Sequence, residues 1–132
     1  SQKGTSAEET MLAVLLQHPD FCDEASSKLP PEKMITSLNR RIYEIILSAN
    51  ESGRSIDVSL FAEKLLPAEV GYLVALQNGD KAGKNAKQVL KDCIEVILEE
   101  DIILNTSSNA ETSVEDWASN LKNMIDKKSK GN

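Results

Sequence analysis

Apolar residues recur along most of this chain at the spacing of a helix, and no useful stretch alternates with period two. Within residues 37–66, Leu38, Ile42 and Ile46 fall on one helix face, with Ile45 and Ala49 beside them. Gly53 is placed to end this helix in the left-handed conformation, and Asp57 to cap the next helix. The segment therefore predicts two consecutive helices joined by a tight turn.

Capping patterns and prolines predict the boundaries of the other elements. Ser6 and Glu9 form a capping-box pattern that predicts the start of the first helix. Pro19 suits the first turn of a short second helix, which the proline pair at 30–31 ends because proline cannot donate a backbone hydrogen bond. Pro67 predicts the start of a further helix.

A longer helical pattern extends from about residue 85 to Asn105 and carries two apolar stripes, so this helix can serve two neighbours. The first stripe is Leu90, Cys93, Ile94, Ile97 and Leu98, and the second is Val89, Val96 and Ile103. A polar bridge at 105–113 leads to a last amphipathic helix with a start signal at Thr112 and Glu115. These last two helices are expected to form an antiparallel hairpin.

The predicted fold class is all-α: a compact multi-helix bundle followed by a C-terminal antiparallel helical hairpin. The predicted organisation is a disordered lead at 1–6, the bundle at 7–84, the hairpin at 85–128 and a frayed tail at 129–132.

The composition of the chain predicts its cellular compartment and the kind of molecule that it binds. A chain of 132 residues that is 40% hydrophobic and 27% charged fits one compact domain, and no apolar run is long enough to span a bilayer. Because Cys22 and Cys93 lie in helical patterns, we expect free buried thiols and a cytoplasmic protein without membrane contact. The lack of an initiator methionine favours a domain of a longer protein. A net charge of −6 and 4% aromatic residues favour a protein partner over direct nucleic-acid binding.

Candidate chemistry is sparse, and we expect neither a metal nor a cofactor. His18 and Cys22 have a spacing that can place two metal ligands together, but one His and two Cys are too few for a structural zinc site. The segment GDKAGKN at 79–85 is similar to a phosphate-binding loop, although its glycine spacing is short and Asn85 replaces the Ser or Thr. We expect a helix-end histidine, a core cysteine and a flexible junction.

Two charged clusters have a structural and a functional interpretation. The acidic cluster of Glu95, Glu99, Glu100 and Asp101 is typical of a solvated helix face, and a catalytic role would need a nucleophile or a pocket nearby. The second cluster is a small basic spot that could contact phosphate, unless Arg40 and Arg41 simply pair with Glu44 or Glu51. Its other members are Lys33 and Arg54.

Apolar residues near the end of the long helix and in the last helix are candidates for a protein interface. Ile102, Ile103 and Leu104 are consecutive and cannot all face one two-helix seam. Trp117, the only tryptophan, is either an interface anchor or a staple against Cys93 and Ile97.

Three segments carry a family resemblance: AEETMLAVLLQHPDF, NRRIYEIILSANESGRSIDVSLFAEKL and VGYLVAL. Together they resemble the all-helical module at the C-terminus of bacterial DnaG-type primases, which is similar to the N-terminal domain of DnaB-type replicative helicases. The resemblance covers about residues 7–101. It implies a helix bundle and a hairpin, with the hairpin docking on the helicase N-terminal domains. The segment KQVLKDCIEVILEED lacks the arginine-containing pattern of the helicases, which favours the primase.

The function predicted from the sequence is a non-catalytic interaction module of a bacterial DNA primase that binds the replicative helicase and couples primer synthesis to unwinding. The isolated chain is then expected to be a monomer. The expected partner-binding residues are Ile102, Ile103, Leu104, Val114, Trp117, Leu121, Met124 and Ile125. The alternative is the N-terminal oligomerisation and primase-binding domain of the helicase, which predicts self-association. A small helical enzyme or nucleotide-binding regulator is a third hypothesis.

Overall fold

A computed structural model describes residues 2–79 and 83–109 of the protein. In these ranges the chain forms α-helices and two 3₁₀ turns, and no strand, which confirms the all-α class. The helices are α1 (Gln2–Gln17), α2 (Cys22–Lys28), α3 (Ser37–Ser52), α4 (Val58–Lys64), α5 (Pro67–Asn78) and α6 (Ala86–Asn109), and the 3₁₀ turns are Pro19–Phe21 and Pro31–Lys33.

The junction between α3 and α4 has the predicted caps. Gly53 follows α3 with φ 71° and ψ 16°, the left-handed conformation that closes a helix C-terminus. The Asp57 carboxylate accepts a hydrogen bond of 3.0 Å from the backbone N–H of Leu60 in the first turn of α4. The predicted pair of helices around one turn is confirmed.

Proline sets the start of three elements, although Pro19 opens a 3₁₀ turn and not α2 itself, which begins at Cys22. Pro19 and Pro31 each open a 3₁₀ turn, and Pro67 opens α5. The first turn of α5 is also closed by Glu69, whose side chain accepts a 2.9 Å hydrogen bond from the backbone N–H of Leu66. Because proline has a fixed φ and no N–H, it costs little at the first position of a helix.

Two predicted boundaries are wrong, both at the ends of long helices. The first helix begins at Gln2 and not at Ser6, so the segment predicted as a disordered lead is helical within the described residues. The long helix continues to Asn109 and therefore includes the first part of the predicted polar bridge. Capping residues mark sites where a helix can start, but packing against a neighbour can carry it further, as α6 does for the first turn of α1.

The core of the bundle lies around α1, which contacts α3, α5 and α6. Met11, Leu12 and Leu15 of α1 have no exposed surface. The helices α1 and α6 run antiparallel, because Gly4 near the start of α1 lies against Glu100 near the end of α6. A β-carbon at Gly4 would lie 3.0 Å from Cγ of Glu100, so the small residue permits this close approach.

The two apolar stripes of α6 have different environments. Leu90, Cys93, Ile94 and Ile97 of the first stripe are buried in the same core cluster as α1. Val89 and Val96 of the second stripe are only partly buried against that core. Trp117 lies outside the described residues, and the division into a bundle and a hairpin stays a prediction.

Candidate protein-binding surface

The α6 tip, which we define as Ile102, Ile103 and Leu104, is an exposed apolar surface. The exposed fractions of these residues are 58%, 58% and 40%. Val58 and Leu66, at 42% and 67%, are the other exposed large apolar residues in the described part of the chain. The structure therefore brings three of the eight predicted contact residues together at one end of α6. The other five, Val114, Trp117, Leu121, Met124 and Ile125, lie outside the described residues.

The α6 tip is exposed because α6 extends past the end of its neighbour. Since α1 begins at Gln2 and Gly4 already lies beside Glu100, residues 102–109 extend beyond α1. At about 1.5 Å per residue this extension is roughly 12 Å long. The Nζ atom of Lys33 lies 3.2 Å from Oδ2 of Asp101, which fixes α6 to the 3₁₀ turn Pro31–Lys33 just before the tip.

Each residue of the α6 tip points to a different side of the helix. Successive residues of an α-helix are about 100° apart, so three of them span roughly 200°. The same spacing places Ile103 in line with Val96 and Val89, which lie seven and fourteen residues earlier. One flat partner cannot cover all three side chains.

A buried polar group that the sequence analysis missed connects three helices of the bundle. Glu8 is fully buried, and its carboxylate accepts hydrogen bonds from the backbone N–H of Ile35 at 2.6 Å and of Thr36 at 3.3 Å. It also accepts one of 2.9 Å from Nδ2 of Asn39, whose Oδ1 in turn accepts one of 2.7 Å from the hydroxyl of Tyr72. We call Glu8, Asn39 and Tyr72 the polar tie.

The polar tie lies at the N-terminus of α3. Thr36 precedes α3 but makes no capping hydrogen bond with its own side chain, and the Glu8 carboxylate accepts from the backbone N–H groups of Ile35 and Thr36 just before the helix. A negative charge at a helix N-terminus is also favourable to the helix dipole. The sequence held one signal for this role: Glu8 precedes the buried Leu12 and Leu15 by four and seven residues, on the inward face of α1.

Neither cysteine has the properties of a catalytic nucleophile. Burial, with smaller effects from Asp23 and Asp20, raises the pKa of the Cys22 thiol to about 11. Burial and Asp92 likewise raise the pKa of Cys93 to about 11. A thiol reacts as its thiolate, and these values leave very little thiolate at neutral pH.

The other candidate residues, His18 and the segment at 79–85, make ordinary structural contacts where the structure describes them. The rings of His18 and Phe21 stack with centroids 5.0 Å apart. Within residues 2–79 and 83–109, no three His, Cys, Asp or Glu side chains are grouped so that they could hold a metal ion. Of the predicted phosphate-loop segment, residues 80–82 lie outside the described residues, and Asn85 accepts the first backbone hydrogen bond of α6 from Val89 at 2.9 Å.

The basic side chains of the predicted spot are engaged, although not with Glu44 or Glu51. Arg41 pairs with Glu69, and Arg54 pairs with Glu63 at 2.8 Å. Arg40 donates a 2.7 Å hydrogen bond to the backbone carbonyl of Met34. The predicted pairing partners are wrong because the arginines contact the neighbouring elements and not their own helix. Each Arg–Glu pair lowers the pKa of its carboxyl group; for Glu69 the hydrogen bond from the N–H of Leu66 is the larger cause.

No helix in the described ranges combines the length and the apolar character needed to cross a membrane. The sequence model of one family, described as the DnaB-like helicase N terminal domain, matches residues 1–101. Comparisons with curated proteins and with solved structures gave no match. The matched region includes all five shorter helices and α6 up to Asp101, and it ends immediately before the α6 tip.

Proposed function

Because the chain belongs to the family of DnaB-like helicase N-terminal domains, we propose that it is an oligomerisation and primase-binding module of a replicative helicase. The module performs no chemistry, acts in the cytoplasm and holds other proteins together during DNA replication. This was the alternative in the sequence analysis. The family match supports it better than the primase interpretation, which is not confirmed.

The α6 tip is the observation that carries this proposal. An apolar surface of this kind, projecting from a bundle whose core is already closed, is typical of a protein–protein interface. Fully burying one large aliphatic side chain contributes about 1.5–3 kcal/mol, so each residue of the α6 tip that a partner covers can supply part of an association free energy.

Sedimentation equilibrium of the isolated chain over a wide concentration range tests the proposal. An assembly module predicts a concentration-dependent rise in mass above that of the 14.5 kDa monomer. A chain that stays monomeric at the highest concentration would contradict self-assembly as its function.

The helicase-binding module of a primase remains a second candidate. It is favoured by the sequence of α6 between Lys87 and Asp101, which contains no arginine and exposes Asp92, Glu95 and Glu99. This candidate predicts that the isolated chain is a monomer and that it binds a DnaB-type helicase ring with saturable stoichiometry. Titration calorimetry with such a ring separates the two, because the first candidate predicts self-association without the ring.

A further inference from the structure

Asn78 is the only asparagine of the chain that is followed by glycine. An asparagine loses its side-chain amide when the backbone nitrogen of the next residue attacks the side-chain carbonyl carbon, Cγ. Glycine hinders this attack least, because it has no β-carbon. The Asn78 side chain is also exposed, so water reaches its amide. Both properties favour the loss of the amide at Asn78.

The other asparagines whose side chains the structure describes are less suited to this reaction. Asn39 is fully buried. The side-chain amides of Asn50 and Asn105 donate hydrogen bonds from Nδ2 to aspartate oxygens, at 3.1 Å and 3.3 Å. Asn85 is exposed, but the residue after it is Ala86, whose β-carbon hinders the attacking nitrogen. Asn85 is therefore the natural comparison for Asn78.

The fold restrains the attacking nitrogen at the end of α5. Asn78 is the last residue of this helix, and the chain leaves it at Gly79, with φ −78° and ψ 133°. The N–H of Gly79 donates to the carbonyl oxygens of Ala75 and Leu76, at 3.1 Å and 3.3 Å. While these hydrogen bonds hold, the nitrogen cannot turn towards Cγ of Asn78. The last turn of a helix opens more easily than its middle, because fewer hydrogen bonds hold it.

We propose that Asn78 is a deamidation site of the folded chain, and that opening of the last turn of α5 sets the rate of the reaction. The freed nitrogen of Gly79 gives up its proton and forms a bond to Cγ of Asn78. The bond between Cγ and Nδ2 breaks, and Nδ2 takes up a proton and leaves as ammonia. Water then opens the succinimide ring at either carbonyl, which yields an aspartate or an isoaspartate. The reaction needs only water, so it does not depend on the assembly function proposed above.

The new carboxylate lies at the unfavourable end of α5. The C-terminus of a helix carries a partial negative charge, so a further negative charge weakens its last turn. This turn also contributes to the core, because Leu76 is buried there. Asn85 is the opposite case, since it precedes the N-terminus of α6, where an aspartate is favourable both as a cap and as a charge.

Incubation of the full-length chain at mildly alkaline pH, followed by peptide mass mapping and enzymatic labelling of isoaspartate, tests the proposal. We expect the amide of Asn78 to be lost well before that of Asn85. The rate should rise with pH, because the attacking nitrogen must lose its proton. An Asn78 amide that lasts as long as that of Asn85 would overturn the proposal.

A matched pair of variants decides whether the end of α5 controls the rate. Ala75→Gly and Ala68→Gly make the same change at exposed positions, one near the end and one near the start of this helix. Glycine favours a helix less than alanine, and the difference in propensity corresponds to a roughly five-fold faster reaction in Ala75→Gly. Ala68→Gly should leave the rate unchanged. Equal acceleration by both variants would mean that the whole bundle must unfold before Asn78 reacts, which contradicts control by the last turn.

The variants Asn78→Asp and Asn85→Asp test the effect of the new charge without incubation. The urea concentration at the midpoint of unfolding, measured by circular dichroism, should decrease in Asn78→Asp and should not decrease in Asn85→Asp. Both variants replace an exposed amide with a carboxylate, so they differ only in the helix end that receives the charge. An equal decrease in both, or none in Asn78→Asp, would contradict a weakening of α5 by the modification.

Discussion

Glu8 shows how one side chain can organise several elements of this fold. Its carboxylate lies on α1, accepts hydrogen bonds from the backbone just before α3 and connects to α5 through Asn39 and Tyr72. The sequence could not show this arrangement, because Glu8 and Asn39 are 31 positions apart and Asn39 and Tyr72 are 33 apart. Caps such as Asp57 were predictable because both partners lie within one turn.

Removing the Glu8 carboxylate should destabilise the bundle strongly. Glu8→Ala leaves the buried Asn39 amide and the part-buried N–H groups of Ile35 and Thr36 without their acceptor, at a cost of about 3 kcal/mol. The free energy of unfolding can be measured with urea by circular dichroism. Glu44→Ala is the control, since Glu44 is exposed on α3. Equal stability of the two variants would contradict a structural role for Glu8.

Alkaline pH should weaken the fold through the buried thiols. The pKa of Cys22 and of Cys93 is raised from 9.0 to about 11, so each contributes stability that is complete below pH 9 and is lost as the pH rises towards 11. Burial raises the pKa of Tyr72 from 10.0 to about 12, which acts in the same direction at higher pH.

The urea concentration at the midpoint of unfolding should therefore decrease as the pH is raised from 9 to 11. In a Cys22→Ala/Cys93→Ala variant the fall should be shallower, whatever the variant's stability at neutral pH. If the urea midpoint depends on pH in the same way after both thiols are removed, the loss of stability at alkaline pH comes from other groups.

The ends of helices were predictable where a nearby residue sets them, and less predictable where packing against another helix sets them. The turn from α3 to α4 was predictable because Gly53 ends one helix and Asp57 caps the next through local contacts. The start of α1 at Gln2 depends on packing, because α6 supplies the surface along which α1 continues. The spacing predicts the two stripes of α6, but only the structure shows that the first stripe is buried except for the partly buried Leu98, and that Val89 and Val96 of the second are partly buried.

Two glycines provide a test of this distinction between backbone signal and packing. Gly53→Ala forces a side chain into a positive φ of 71° and should cost about 1 kcal/mol. Gly71→Ala lies within α5 and should stabilise by roughly 0.5–1 kcal/mol, because alanine favours a helix. At both glycines an added β-carbon would meet nothing within 4 Å, so crowding does not contribute.

Urea unfolding of the two variants gives the comparison directly. Effects of the same sign would mean that the conformation at position 53 does not decide the end of α3.

At the scale of the whole molecule, residues 2–79 and 83–109 form a helical bundle from which the end of α6 extends. The bundle holds the core and the polar tie, and the extension of α6 carries three of the five exposed large apolar residues in the described part of the chain. The sequence predicts Ile102, Ile103 and Leu104 as contact residues, and their exposure follows from the length of α6 relative to α1. The identity of the partner does not follow from geometry, since an apolar tip fits both a second copy and another protein.

The most direct test of the central claim compares the association of two matched double variants by sedimentation equilibrium. Ile102→Lys/Leu104→Lys adds two charges to the α6 tip, and Val58→Lys/Leu66→Lys adds the same charges to the other exposed apolar residues of the bundle. If the α6 tip is the assembly surface, the first variant should weaken self-association by at least about 100-fold, and the second should associate like the unmodified chain. Equal association of the two variants, or a loss confined to the second, would contradict the account.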